Sequence, residues 1–198
     1  GDSYLIQRIN HHIFADVKGL MNNIDVVTRH LQSIFQEQGL DCKKHTLTII
    51  PTKKGELYCQ DEEGSYWRVF ILLEGTKSYD IVETTKQSYS GGQAFGKFQK
   101  QLATLDASKL VEILPNFHNI DFRMHNLREA ITANKANRVN EVKDILEYIF
   151  AREEGMRNII KMAQQKELPL RITHNDTKFN NVLLDGDDNV QCVIDLDT

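Results

Sequence analysis

The sequence predicts an α+β fold: strands and one long helix to about residue 74, a mainly helical stretch after it, and a closing β-hairpin. Three observations carry this. Apolar residues after Asp16 recur at three- and four-residue steps, the mark of an amphipathic helix. The period then shortens to strand-like runs up to Leu73 and lengthens again beyond Gly75. The final stretch returns to short apolar runs divided by the turn formers Asp185-Gly186-Asp187-Asp188.

In chain order, Tyr4 to Ile9 reads as a short strand. Asp16 can cap a long helix whose apolar face is Val17, Leu20, Met21, Ile24, Val27, Leu31, Ile34 and Phe35, with Gly39 ending it. Thr46 to Ile50 is a β-rich run closed by Pro51, Leu57 to Cys59 a short strand, and Tyr66 to Leu73 a long apolar central strand. Helices follow over Gln93 to Leu105, Leu110 to Leu114 with Ser108 as cap, Leu127 to Ala133, Arg138 to Ala151 and Met156 to Gln165. Short strands close the chain at Leu170 to Thr173, Val182 to Leu184 and Val190 to Asp195.

With 198 residues, 40% hydrophobic and 26% charged, the chain can build one core or two lobes sharing a cleft. A net charge of -4 argues against a nucleic-acid binder. The three cysteines, Cys42, Cys59 and Cys192, are odd in number and form no C-x-x-C, so reduced thiols and a cytoplasmic setting are expected. Val69 to Leu73 is too short to span a bilayer, and no basic start or apolar h-region opens the chain. No membrane partner is expected.

The chemistry concentrates near the end. His174-Asn175-Asp176-Thr177-Lys178-Phe179-Asn180-Asn181 is H-x-D-x-x-x-x-N, followed by a strand, a turn, and a second strand leading to Asp195. Phosphoryl-transfer sites space a base and two magnesium ligands in this way. Asp176 fits the base that orients a hydroxyl. Asn181 offers a neutral oxygen and Asp195 a charged one, both suited to hard Mg²⁺. Asp197 would face the same side as Asp195 in extended backbone; it is a second ligand or the first turn of the next loop. Lys178 is two residues past the base, within reach of a transferring phosphate. The octapeptide alone fits an acidic turn equally well. The later strand ending in Asp tips the balance to catalysis.

Other stretches carry less. Ser90-Gly91-Gly92 resembles an anion cradle but lacks a following G-K-[ST], so helix entry explains it better. Phe117, His118 and Arg123 could line a polar pocket, though packing is the commoner role. Trp67 with Arg68 reads as core and rim.

Residues Thr173 to Leu183 with Val193 to Thr198 resemble the aminoglycoside phosphotransferase / choline kinase superfamily, closest to the N-acetylhexosamine 1-kinases, some of whose relatives are labelled mucin desulfatases. Tyr4 to Asn10, Leu20 to Ile24, Trp67 to Val69, Ala94 to Phe98 and Phe117-His118 support the likeness. No C-x-P-x-R or S-x-P-x-R is present, so the sulfatase label is not followed. The resemblance implies a protein-kinase-like two-lobed fold, with residues 1–74 as a partial β-rich nucleotide lobe and residues 75–198 as a partial helical catalytic lobe. It implies an ATP-dependent phosphotransferase with Asp176 as base, Asn181 and Asp195 on Mg²⁺, and Leu73 and Glu74 leading into the adenine hinge. Asn175 is the expected acceptor contact. ATP and an N-acetylhexosamine, phosphorylated at its anomeric hydroxyl, are the expected substrates. Choline, an aminoglycoside or another alcohol is the alternative acceptor, and a non-catalytic nucleotide-binding pseudokinase the competing class.

Three departures accompany the likeness. The phosphate-covering loop and its strands would precede Ser3. The strand position that offers Lys or Arg to the phosphates holds Gln7. The long helix offers Asn22 and Asp25 but no clear Glu. The likeness also implies further helices after Thr198, so the chain reads as an internal fragment with little activity alone.

Overall fold

The computed structural model describes residues 2–198. The chain divides into two compact units, Gly1–Leu114 with Arg171–Thr198, and Pro115–Leu170. Compactness therefore does not break at residue 74, where the periodicity changes.

In the first unit, strands β1 (Tyr4–Ile9), β2 (Cys59–Gln60) and β3 (Tyr66–Ile71) form an antiparallel sheet in the order β1-β3-β2. β3 is central, as its apolar run predicts. Its register on β1 pairs Gln7 with Arg68 and Ile9 with Tyr66. The Thr46 to Ile50 run joins β3 only by an isolated bridge, Ile49 to Phe70.

Helix α1 (Val17–Glu37) begins where Asp16 accepts a 2.8 Å bond from the Gly19 amide. Such caps contribute about 1 kcal/mol. Gly19 is required here: a Cβ would stand 2.3 Å from the Asp16 carboxylate and 2.8 Å from Val111. Leu20, Met21 and Ile24 are fully buried against Ile9, Phe70 and Leu47. Each such burial contributes roughly 1.5–3 kcal/mol. A single turn, α2 (Cys42–His45), follows under an Asp41 cap and was not expected from the sequence.

Helix α3 (Thr85–Leu102) starts well before the expected Gln93, because Thr84 caps it through the Gln87 amide. Ser90-Gly91-Gly92 lies inside this helix, not ahead of it. The expected helix at Leu110 to Leu114 is unwound, and Asp106 caps only a 3₁₀ turn, Ala107–Lys109. Asn23 takes both backbone groups of Val111, at 2.7 and 3.0 Å, which ties that segment to α1.

Strands β4 (Val182–Leu184) and β5 (Val190–Val193) form the closing hairpin. Val182, Leu184 and Cys192 are buried; Ala94 of α3 packs on Val182 and Leu184, while Cys192 joins the core of Leu20 and Phe70. The Ser90 hydroxyl donates to the Asp188 carbonyl at 2.7 Å, tying α3 to the hairpin turn. Lys77 exchanges two backbone bonds with Leu184, at 2.8 and 2.9 Å, so the chain leaving β3 is fastened to the hairpin. Leu170 to Thr173 forms no strand; the Ile172 carbonyl accepts from the Gln99 side chain instead.

The second unit is helical: α4 (Ile120–Ala133), α5 (Lys143–Phe150), α6 (Glu153–Met156) and α7 (Asn158–Gln164). α4 starts earlier than expected because Asn119 caps it through the Phe122 amide. The two later helices expected from periodicity are each broken in the structure. A 3₁₀ turn, Val139–Val142, precedes α5, and Arg157 separates α6 from α7. Arg123 donates to the Phe117 carbonyl and stacks on its ring, which gives that arginine a structural partner.

Candidate active site

The segment from His174 to Asn181 is an irregular loop closed by a 3₁₀ turn, Phe179–Asn181, that feeds into β4. His174 is buried and braces it. The Asp176 amide donates to His174 Nδ1 at 3.3 Å, so Nε2 carries the proton and donates to the Ile194 carbonyl at 2.8 Å. Phe95 and Phe98 of α3 meet the imidazole edge-on. One ring thus joins the loop to the segment after β5.

Asp176, Lys178, Asn181 and Asp195 converge. Asn181 Nδ2 donates to Asp176 Oδ2 at 3.1 Å and to the Asp176 carbonyl at 2.9 Å. Lys178 Nζ lies 2.8 Å from Asp176 Oδ2 and 3.9 Å from Asp195 Oδ2. The Lys178 hydrogen bond holds the Asp176 carboxyl below its usual range, against the opposing effect of burial, and Asn181 adds to the lowering. The same bond raises the Lys178 ammonium. Asp195 is pushed the other way, first by desolvation and then by the nearby Asp197 charge. Its side chain is still 43% exposed, so the shift is that of a carboxylate at a cleft edge.

The strand does not run to Asp195 as expected: β5 ends at Val193, and Asp195 has φ 64°. The left-handed backbone removes the premise that Asp195 and Asp197 share the side chain direction of an extended strand. Asp197 is instead held by Arg68, with Nη1 to Oδ1 at 2.6 Å and Nη2 to Oδ2 at 2.9 Å. Both its oxygens are engaged, which disfavours the metal-ligand role. Asn175 also has a left-handed backbone, with φ 63°, and accepts from the Thr173 hydroxyl at 2.6 Å.

A cleft of about 680 Å³ opens beside this cluster, in the range of small-molecule sites. Gln7, Arg68, Leu73, Asn181, Asp195 and Asp197 all line it. The Gln7 side-chain carbonyl accepts from Arg68 Nε at 3.2 Å. The Glu74 side chain turns elsewhere: it lines a neighbouring depression and accepts from the Ser3 hydroxyl.

Asn181 and Asp195 offer the oxygen donors that magnesium prefers, and Mg²⁺ commonly takes few protein ligands beside substrate phosphates. Among the described residues no group of three or more His, Cys, Asp or Glu side chains gathers into an all-protein metal cage. The donor set fits a metal shared with a nucleotide.

Residues 42–198 match the model of APH, the phosphotransferase enzyme family. The chain belongs to this family. Its fold is that of known members. A crystal structure of an aminoglycoside phosphotransferase from Alicyclobacillus acidocaldarius superposes with a TM-score of 0.59 at 14% identity, over 100% of this chain and 57% of that one. A spectinomycin phosphotransferase, in complex with ADP and spectinomycin, gives 0.53 at 17% identity, over 100% and 57%. The chain spans under two thirds of the length of either structure. The family member described here accordingly presents the mixed helix-and-sheet, protein-kinase-like architecture expected from its sequence.

Two residues of the site are not legible as such in the sequence. His174 reads there as part of a motif rather than as the brace between two loops. Arg68 reads as core and rim, yet it is buried in the cleft wall. A charged residue inside an otherwise apolar central strand was the available signal, since such a group needs a partner.

Proposed function

We propose that this chain carries the nucleotide cleft and catalytic loop of an ATP-dependent small-molecule kinase acting in the cytoplasm on a hydroxyl acceptor. The observation that carries the reading is the meeting of Asp176 and Lys178 with Asn181 and Asp195, of which the latter two line the cleft. Residues 1–74 act as the nucleotide lobe and 75–198 as the catalytic lobe. Adenine is received near Leu73 and the backbone of Glu74. Asn181 and Asp195 hold magnesium, which supplies neutralisation of the phosphate charge.

Asp176 orients the acceptor hydroxyl and takes its proton. Its lowered basicity in the free protein comes chiefly from Lys178. When Lys178 turns to the transferring phosphate, that bond is lost and Asp176 becomes the better base. Lys178 then balances charge on the phosphoryl oxygens.

The acceptor we favour is the anomeric hydroxyl of an N-acetylhexosamine, on the likeness of Thr173 to Leu183, with Asn175 as a sugar contact. An aminoglycoside or aminocyclitol is the second reading, supported by the fold shared with the spectinomycin enzyme. Incubating the intact protein with ATP, magnesium and each acceptor, with product analysis by mass spectrometry, tests both. A hexosamine 1-phosphate is the expected product. A phosphorylated antibiotic or choline phosphate overturns the sugar assignment, and no turnover on any acceptor overturns the kinase reading.

A further inference from the structure

A triphosphate in the cleft needs a fixed cation besides the one next to Asp176. The nearest position on β1 holds Gln7, and α1 faces the sheet with Met21 rather than a carboxylate. Arg8, the neighbouring cation on β1, also borders the cleft, but it is exposed and pairs across the sheet with Trp67, and its charge is felt at Asp61. Arg68 is different. Its side chain is 8% exposed in the cleft wall, Asp197 clasps it, and it stands opposite Gln7 in the β1–β3 register.

We propose that Arg68 is the phosphate-binding cation of this site and that Asp197 is its positioning residue. This rests on the nucleotide-kinase reading above. A guanidinium has five N–H donors. Nε is bonded to Gln7 and one donor on each Nη to Asp197; Nη1 also approaches the Met21 thioether at 4.0 Å. The bidentate clasp fixes the plane of the fork and leaves donor capacity on the Nη atoms for phosphate oxygens. The pair has the form of a cation held by a carboxylate, with the cation supplied by β3 and the acid by the segment after β5.

A buried ion pair can also be purely structural, and removing one partner strands the other charge. The test therefore removes both. Binding of ADP and of adenosine to the intact protein is measured by calorimetry for the wild type, for Arg68→Met with Asp197→Asn, for Arg68→Lys and for Arg8→Ala. The double variant should weaken ADP roughly 10- to 100-fold while adenosine stays within about twofold. Arg68→Lys should fall between, having charge without the fork, and Arg8→Ala should bind ADP like the wild type. Parallel loss of ADP and adenosine, or unchanged ADP binding, overturns the clamp and leaves the kinase reading standing. Loss of ADP preference in Arg8→Ala instead also overturns it. A wild type that binds neither ligand overturns the nucleotide reading and the clamp together.

Discussion

The catalytic loop and the hairpin that follows it are neighbours in sequence and opposites in character. From His174 to Asn181 the chain is irregular and polar, and its reactive groups are half-exposed and held by side-chain hydrogen bonds. The strands Val182–Leu184 and Val190–Val193 instead pair into a hairpin with Val182, Leu184 and Cys192 buried, joined by the turn Asp185 to Asn189. The loop has little packing of its own to hold a geometry. It borrows rigidity from the hairpin, through Asn181 at the end of the 3₁₀ turn that leads into β4, and from His174, whose ring is clasped by α3. Chemistry and stability are thus separated over a few residues.

That separation can be broken by experiment. Replacing Asp176 by Asn should lower turnover by roughly 10²–10⁴-fold with the melting temperature nearly unchanged. A variant with near-normal turnover on the true acceptor would remove Asp176 from the chemistry. Leu184→Ala should do the reverse. It opens a cavity in the hairpin core and should cost about 2–5 kcal/mol in urea unfolding. Ile6→Ser, on an exposed edge of β1, should stay within about 0.5 kcal/mol of the wild type. Equal losses for the two would contradict the buried-hairpin account.

Thiol labelling sharpens the same contrast. The Cys192 thiol is pushed up to about 12 by complete desolvation, while Cys59 is exposed. A maleimide at neutral pH should modify Cys59 first, and Cys192 only after unfolding; mass mapping of the modified peptides distinguishes them. The smallest effect is expected at the hairpin turn. Amide donation from Asn189, aided by Asp187, keeps the Asp185 carboxyl below its usual range. A depressed carboxyl stabilises the fold above its unfolded pKa, and that contribution disappears as pH falls through the lowered folded value. Asp185→Asn should therefore flatten the acid limb of the melting curve. An unaltered limb would mean the turn holds without that carboxylate.

Legibility followed the distance between partners. The Asp16 cap and the Asp176–Asn181 cluster rest on contacts three and five residues apart, and pattern and spacing reveal them. Pattern misses the start of α3 because glycines normally interrupt helices, whereas here a Thr84 cap and contact with the hairpin override that cost. The unwound stretch after Lys109 answers to Asn23, 88 residues earlier. Arg68 and Asp197 are 129 residues apart, and no local pattern announces that they meet.

Gly91 shows where the reach of the active site ends. A Cβ on this α3 residue would lie 2.8 Å from the Phe179 ring, and Phe179 opens the turn that presents Asn181. The shape of the catalytic loop is therefore partly written on a helix face far upstream. An engineer who diversified only His174 to Asp197 to change the acceptor would leave this template untouched. One who swapped that loop in from another protein would need to bring the matching helix surface with it, or the graft would sit on the wrong mould.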